Sequence, residues 1–123
     1  MTKHKMREPL LFRKLTNYQK QRYKLASAIL LNKFMGDQWT DAQACILSIF
    51  IWYYEVENKT RLKFSEEIRL NGFVGSYNYT LLPSLVRSGI IHQEYGLGYY
   101  NLTKKAIRII DNILSILKKI DLT

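Results

Sequence analysis

Hydrophobic residues recur at intervals of three and four along most of this 123-residue chain, which is the spacing of helices with one buried face. In the first such segment, Thr16 or Asn17 can cap the start of a helix. The hydrophobic repeat continues to about Met35, and Gly36 then supplies a C-terminal stop. The pattern therefore predicts a first helix that starts after a cap at Thr16 or Asn17 and runs to about Met35.

The second hydrophobic segment has no clear polar face. Residues 42–54 are apolar on nearly every side, which is typical of a helix at the centre of a domain. Thr40 and Gln43 have the spacing of a capping box, in which each side chain accepts a hydrogen bond from the other residue's backbone. A strand over 46–54 is the alternative, because β-branched and aromatic residues are frequent there. The cap and the length favour a helix.

Shorter patterns follow in the second half of the chain. A short strand is predicted at 61–64, and Ser65 is the expected cap of a short helix that reaches about Asn71. Ser76 then opens a longer helix, which ends at Gly89. Two helices joined by a glycine-containing turn form a helix-turn-helix pair.

A β-hairpin and a last helix complete the predicted fold. Residues 90–95 and 99–102 form the strands around a glycine-rich turn, and Thr103 caps the last helix. The fold class is therefore mainly α with a small β-hairpin: a winged helix-turn-helix with additional N- and C-terminal helices. We assign residues 16–123 to this single winged-helix domain and residues 1–15 to a basic N-terminal arm.

The charge of the chain favours a polyanionic partner. Nineteen Lys and Arg residues face ten Asp and Glu residues, which gives a net charge of +9. Most of the surplus lies in residues 1–24, where Glu8 is the single acid. Nucleic acid or an anionic membrane surface is the expected partner of such a chain. A solvated basic tail is the alternative interpretation of the arm.

Several classes of protein are disfavoured by the composition. The single cysteine, Cys45, excludes a disulfide framework, and with His4 and His92 alone it is not expected to form a zinc site. We expect a buried structural thiol and a reducing, cytoplasmic location. The longest apolar run, 44–54, is shorter than the about 20 residues that span a bilayer. No phosphate loop or nucleophile motif is present, so we predict a protein that is not an enzyme and uses no cofactor or metal.

The helix over 76–88 has the features of a DNA-reading element. Leu82, Leu85 and Val86 share its apolar back, and Pro83 either kinks the helix or marks its first turn. Its polar front suits a major groove, where hydroxyl and guanidinium groups bind base edges and phosphates. The front residues are Ser76, Tyr77, Thr80, Ser84 and Arg87. Further predicted phosphate contacts are Tyr99 in the wing and, in the arm, Lys3, Lys5, Arg7, Arg13 and Lys14.

Two segments carry a resemblance to a known family. Residues 85–91 resemble the end of a recognition helix entering a wing, and residues 100–105 resemble the return strand and the start of the last helix. Over about residues 38–120 the chain resembles winged-helix DNA-binding proteins, most nearly the MarR-type regulators. The resemblance implies sequence-specific binding of double-stranded DNA by a small dimeric transcriptional regulator. Its wing, 94–98, departs from the MarR pattern, and a phage or mobile-element DNA-binding protein fits equally well.

Two further expectations concern protein partners. The last helix is wider in its apolar face than one chain needs, which predicts a homodimer through the first and last helices. The stripe assigned to dimerisation comprises Ile109, Ile113, Ile116 and Ile120. Alternatively, the first helix covers the whole face within one chain. The second function considered is a winged-helix module that binds protein within a nucleic-acid-handling complex, although such a module needs no charge of +9.

Overall fold

The computed structural model describes residues 13–69, 76–94 and 98–120, with the side chains of 76–79 outside that description. Four helices, one π-helical turn and three strands have both of their ends within these residues. In chain order they are α1 (Asn17–Met35), α2 (Asp41–Glu57), β1 (Arg61–Lys63), the π-helical turn (Phe64–Ile68), α3 (Ser76–Ser88), β2 (Ile91–Glu94), β3 (Tyr99–Leu102) and α4 (Lys104–Ile120). A mainly helical fold with a small antiparallel sheet, as predicted, is thus confirmed.

Both long N-terminal helices begin with the predicted caps. Thr16 and Gln19 form a capping box at the start of α1, and Thr40 and Gln43 form another at the start of α2. Each box satisfies backbone N–H groups that have no partner within the helix. Gly36 ends α1 with a φ of 66°, a left-handed value that glycine adopts without a steric penalty.

The helix α2 forms the centre of the hydrophobic core. Residues 43–51 are buried without interruption, which confirms the helical interpretation of this segment over the strand alternative. Cys45 is buried and free, as expected, and its burial raises the pKa of the thiol. The helix packs on α1, where the hydroxyl groups of Ser27 and Ser48 lie 2.9 Å apart. This buried hydrogen bond satisfies two polar groups that would otherwise destabilise the core.

The three strands form an antiparallel sheet in the order β1-β3-β2. Leu62 of β1 and Gln93 of β2 lie on either side of Tyr100 of β3. Because side chains alternate along a strand, Leu62 and Leu102 point to the core while Arg61 and Tyr99 lie on the opposite face. The predicted hairpin and the short strand before it therefore belong to one sheet.

The segment after β1 differs from its prediction. Ser65 does not cap a helix, because the π-helical turn begins at Phe64, one residue earlier, and has no side-chain cap. Two other contacts hold its start: the carboxylate of Glu67 accepts from the Lys63 N–H, and the Phe64 N–H donates to the Gly98 carbonyl at 2.8 Å. The predicted end of this short helix, near Asn71, lies outside the described residues.

The helix α3 contains Pro83 in its interior rather than in its first turn. The helical backbone starts seven residues earlier, at Ser76, so the alternative in which Pro83 begins the helix is wrong. The missing proline N–H removes one backbone hydrogen bond from α3.

The last helix, α4, begins with its predicted cap. The Thr103 hydroxyl accepts from the Ala106 N–H at 3.1 Å.

Candidate nucleic-acid interface

The helix α3 presents a buried side and an exposed side to different surroundings. Leu82 and Leu85 are buried as predicted, and Leu81 joins them at 7% exposed. Thr80 and Arg87 are exposed. The sequence predicted that α3 enters a DNA groove, and two of its predicted contact residues, Thr80 and Arg87, are indeed on its surface.

Ser84 faces another helix instead of lying among the exposed residues. Its hydroxyl accepts from the Gln43 side chain of α2 at 2.8 Å and donates to the Leu81 carbonyl at 2.7 Å. The side chain is half-buried. Ser84 therefore links α3 to α2, and Gln43 serves both this contact and the cap of α2.

Other predicted contact residues fall partly outside what the structure describes. Ser76 and Tyr77 lie in the first turn of α3, with side chains outside the description, and Lys3, Lys5 and Arg7 lie outside it altogether. Arg13 and Lys14 are helical and exposed just before α1. Leu15 packs against the core. The packed part of the chain therefore begins at least one residue before residue 16, the predicted start of the domain.

The outer face of the sheet carries a stacked arginine. The Arg61 guanidinium lies 3.6 Å from the centroid of the Tyr99 ring. It also donates to both carboxylate oxygens of Glu94, at 2.8 and 2.9 Å, and this interaction lowers the pKa of Glu94. The Lys63 ammonium lies 5.8 Å from the same ring. Tyr99, a predicted phosphate contact, thus lies beside two cations on an exposed sheet face.

Arg61 and Lys63 were not among the predicted contact residues. A signal for them existed, because alternation along the short predicted strand places residues 61 and 63 on the same face. Their position beside Tyr99 depends on the pairing of β1 with β3, which joins residues almost 40 positions apart in the chain. His92 is exposed on β2, level with Asn101 and Arg61, and so lies on the surface of a strand as expected.

A second basic group lies where α3 meets α4. The Thr103 hydroxyl donates to the Gly89 carbonyl at 2.8 Å, which holds the first turn of α4 against the end of α3. Lys104 and Lys105 in that turn are exposed, as is Arg87 near the end of α3. Positive charge at a helix N-terminus opposes the helix dipole, so these lysines do not stabilise α4. Sequence reasoning did not select Lys104 or Lys105.

Several other cations already have acidic partners. Arg22 contacts Glu55 at 2.6 Å, and Lys59 contacts Glu67 at 2.7 Å. Lys24 contacts Asp41 at 3.2 Å. These pairs connect α1 to α2 or stabilise the region around the π-helical turn, so their charges contribute less to an interface than those of Arg87, Lys104 and Lys105.

The residues assigned to dimerisation occupy one side of α4. Ile116 and Ile120 are exposed, Ile109 is half-buried, and Ile113 is 4% exposed. Ile113 therefore belongs mainly to the core of its own chain. Opposite this stripe lies α1, and a groove of about 570 Å³ separates the two helices.

No metal centre or membrane span was found in the described part of the chain. Within residues 13–69, 76–94 and 98–120, no three His, Cys, Asp or Glu side chains are grouped so that they could hold a metal ion. No helix among the same residues is long and apolar enough to cross a bilayer. The chain matches no family model, no curated protein and no solved structure. Function is therefore inferred from geometry and charge.

Proposed function

We propose that the protein binds double-stranded DNA sequence-specifically, as a winged helix-turn-helix protein that acts by binding and not by catalysis. The role is that of a small transcriptional regulator of MarR-like type, or of a phage or mobile-element DNA-binding protein. A reducing cytoplasm is the location that goes with this role and with the free Cys45 thiol.

The observation that carries the proposal is the exposed polar side of α3 beside an exposed basic group at its C-terminal end. Thr80 and Arg87 lie on its exposed side. At its C-terminal end the first turn of α4 adds Lys104 and Lys105. A helix of this kind binds base edges with its exposed side chains while the cations at its end bind neighbouring phosphates.

The three-stranded sheet supports the same proposal. Its order, β1-β3-β2, places the hairpin directly after α3 and pairs it with the strand before the helix-turn-helix segment. This arrangement is the one we expect for a wing. Its outer face adds Tyr99, whose hydroxyl can bind a phosphate. The neighbouring Arg61 and Lys63 are paired with Glu94 and Glu66, so they contribute less positive charge than Arg87, Lys104 and Lys105.

A salt titration tests the proposal. Affinity for a mixed-sequence duplex should fall steeply as salt rises, because each phosphate contact releases counterions. With about five contacts, the slope of log affinity against log salt should be roughly −4 to −5. A slope near zero, or no binding at low salt, would contradict a DNA-binding function.

Matched variants locate the interface on the fold. Replacing Lys104 and Lys105 together by Gln should make the slope less negative by about 2, at roughly 0.9 per lost phosphate contact. The control is the same double substitution at Lys118 and Lys119, which removes equal charge from the opposite end of α4. Equal effects of the two pairs would mean that the basic charge acts without a defined interface.

The alternative function is that of a winged-helix module that binds protein within a nucleic-acid-handling complex. The exposed apolar side chains on α1 and α4 favour a protein contact somewhere on the molecule. A chain with this function alone would bind duplex DNA weakly and without sequence preference. Selection of binding sites from a pool of random duplexes separates the two functions, because only the proposed one yields an enriched sequence.

A further inference from the structure

Gln43 is a buried polar side chain in the first turn of α2, and it is only 6% exposed. Its side-chain oxygen accepts from the Thr40 N–H at 2.8 Å, which completes the cap of α2. Its side-chain nitrogen donates to the Ser84 hydroxyl of α3 at 2.8 Å. A capping box forms equally well with glutamate at this position, but an ionised glutamate has no N–H to donate. The N–H group that glutamine adds is used for the contact with α3.

Ser84 extends this contact to the backbone of α3. Its hydroxyl accepts from Gln43 and donates to the Leu81 carbonyl at 2.7 Å. Pro83 lies between Leu81 and Ser84 in the interior of the helix. A proline has no N–H for the backbone ladder, and a helix bends most readily at such a residue. The hydrogen bonds that run from Gln43 to Leu81 therefore act at the point where α3 lacks a backbone hydrogen bond.

Buried leucines hold the same side of α3 against the core. Leu81, Leu82 and Leu85 are between 0% and 7% exposed. The burial of aliphatic side chains is favourable in many orientations, because the hydrophobic effect has no direction. A hydrogen bond needs its donor and acceptor about 2.7–3.2 Å apart and nearly in line. The Gln43–Ser84 bond therefore restricts the rotation and the bend of α3 more narrowly than the leucines do.

We propose that Gln43 is a positioning residue for DNA recognition, which acts through Ser84 on the orientation of α3. The inference rests on the proposed DNA-binding function, with Thr80 and Arg87 as the side chains that contact bases. Thr80 lies three residues before Pro83 and Arg87 four residues after it, so a bend at Pro83 changes their relative positions. Base edges are read by hydrogen bonds of defined geometry, whereas phosphate contacts carry no sequence information. Gln43 therefore affects the sequence preference more than the general affinity for DNA.

Two single variants test the proposal. The probes are the duplex that the wild type enriches from a random pool and a mixed-sequence duplex. Q43M and S84A each remove one partner of the bond, and each should lower the ratio of the two affinities roughly ten-fold. The slope of log affinity against log salt should stay unchanged, because no phosphate contact is lost. The double variant should lose no more than either single variant, since all three break the same bond.

The ratio of affinities separates positioning from a purely structural role. Partial unfolding lowers both affinities by the same factor, so the ratio does not change with stability. Q19M is the matched control, because the Gln19 side chain caps α1 in the same way, accepting from the Thr16 N–H at 3.0 Å. It should keep the wild-type ratio, as should S84T, which retains the hydroxyl. Circular dichroism checks folding, and Q43A replaces Q43M if Q43M does not fold.

Each contrary outcome has a distinct meaning. If the Gln43 variant keeps the wild-type ratio while S84A loses it, Ser84 contacts a base directly and the proposal is overturned, because Gln43 is too buried to reach DNA. Additive losses in the double variant, or an equal loss in Q19M, would also overturn it. A wild-type protein that enriches no duplex would contradict the proposed function and this inference together, and that result appears before any variant is measured.

Discussion

At the scale of single residues, α3 separates the exposed side chains that we propose as DNA contacts from those that hold the fold. Thr80 and Arg87 are exposed, whereas Leu85 is fully buried. We expect Thr80→Ala and Arg87→Ala each to lower the affinity for the preferred duplex by about 1–3 kcal/mol and to relax the sequence preference at the contacted position. Their effect on the free energy of unfolding should stay within about 0.5 kcal/mol, which is usual for exposed sites. Fluorescence anisotropy and urea denaturation measure the two quantities.

Leu85→Ala is the matched substitution on the opposite side of the same helix. It should lower the free energy of unfolding by about 2–5 kcal/mol, because it removes a fully buried side chain from the core. The opposite ranking, with Arg87→Ala destabilising and Leu85→Ala affecting DNA alone, would mean that α3 presents another side to the DNA.

At the scale of elements, a polar cluster fastens α1 to α2. The Glu55 carboxylate accepts from Arg22 at 2.6 Å and from the Tyr23 hydroxyl at 2.6 Å. Burial raises the pKa of Glu55, but the hydrogen bonds and the charge of Arg22 outweigh it, so the net pKa lies below the ordinary 4.5. Because its pKa is lower in the folded state, the ionised Glu55 stabilises the folded protein at every pH above its ordinary pKa. This contribution is lost as the pH falls through the folded-state pKa.

We therefore expect Glu55→Gln to reduce the loss of stability on acidification. The variant should be less stable than the wild type at neutral pH, and the difference should shrink as the pH falls below the ordinary pKa of 4.5. Urea denaturation from pH 3 to pH 7 checks this. Glu57→Gln removes a nearby acid of the same helix and is the control. A constant difference across the range would show that Glu55 contributes through its shape and not through its charge.

The elements also show which features a sequence can predict. The Thr16 cap, the Thr40–Gln43 capping box, the Gly36 stop and the start of α4 at Lys104 depend on residues within four positions of one another, and the predictions for them are confirmed. The capping box that Thr16 forms with Gln19 was not predicted. The π-helical turn was mispredicted because its first N–H bonds to Gly98, which is distant in the chain. Ser84 was placed on the polar front of α3 by helical spacing alone, yet Gln43 of another helix holds its hydroxyl.

At the scale of the whole molecule, the candidate interface also depends on contacts between distant segments, which the sequence does not predict. Net charge, the exposed Arg87 and the basic N-terminal arm could be read from the sequence. The position of Arg61 and Lys63 beside Tyr99 could not be predicted from the sequence, because it arises only when β1 pairs with β3. Surfaces assembled from separate segments need the fold before their charges can be combined.

The charge distribution of the whole chain leads to a last prediction, on the arm. Lys3, Lys5 and Arg7 belong to the most basic part of the sequence. If they bind phosphates, replacing all three by Gln should make the slope of log affinity against log salt less negative by about 2–3 and weaken binding to every duplex alike. Leu15 and the Thr16 cap are untouched, so the melting temperature should not change. An unchanged salt slope with an unchanged melting temperature would make the arm a solvated tail, with the DNA contacts confined to α3, α4 and the sheet.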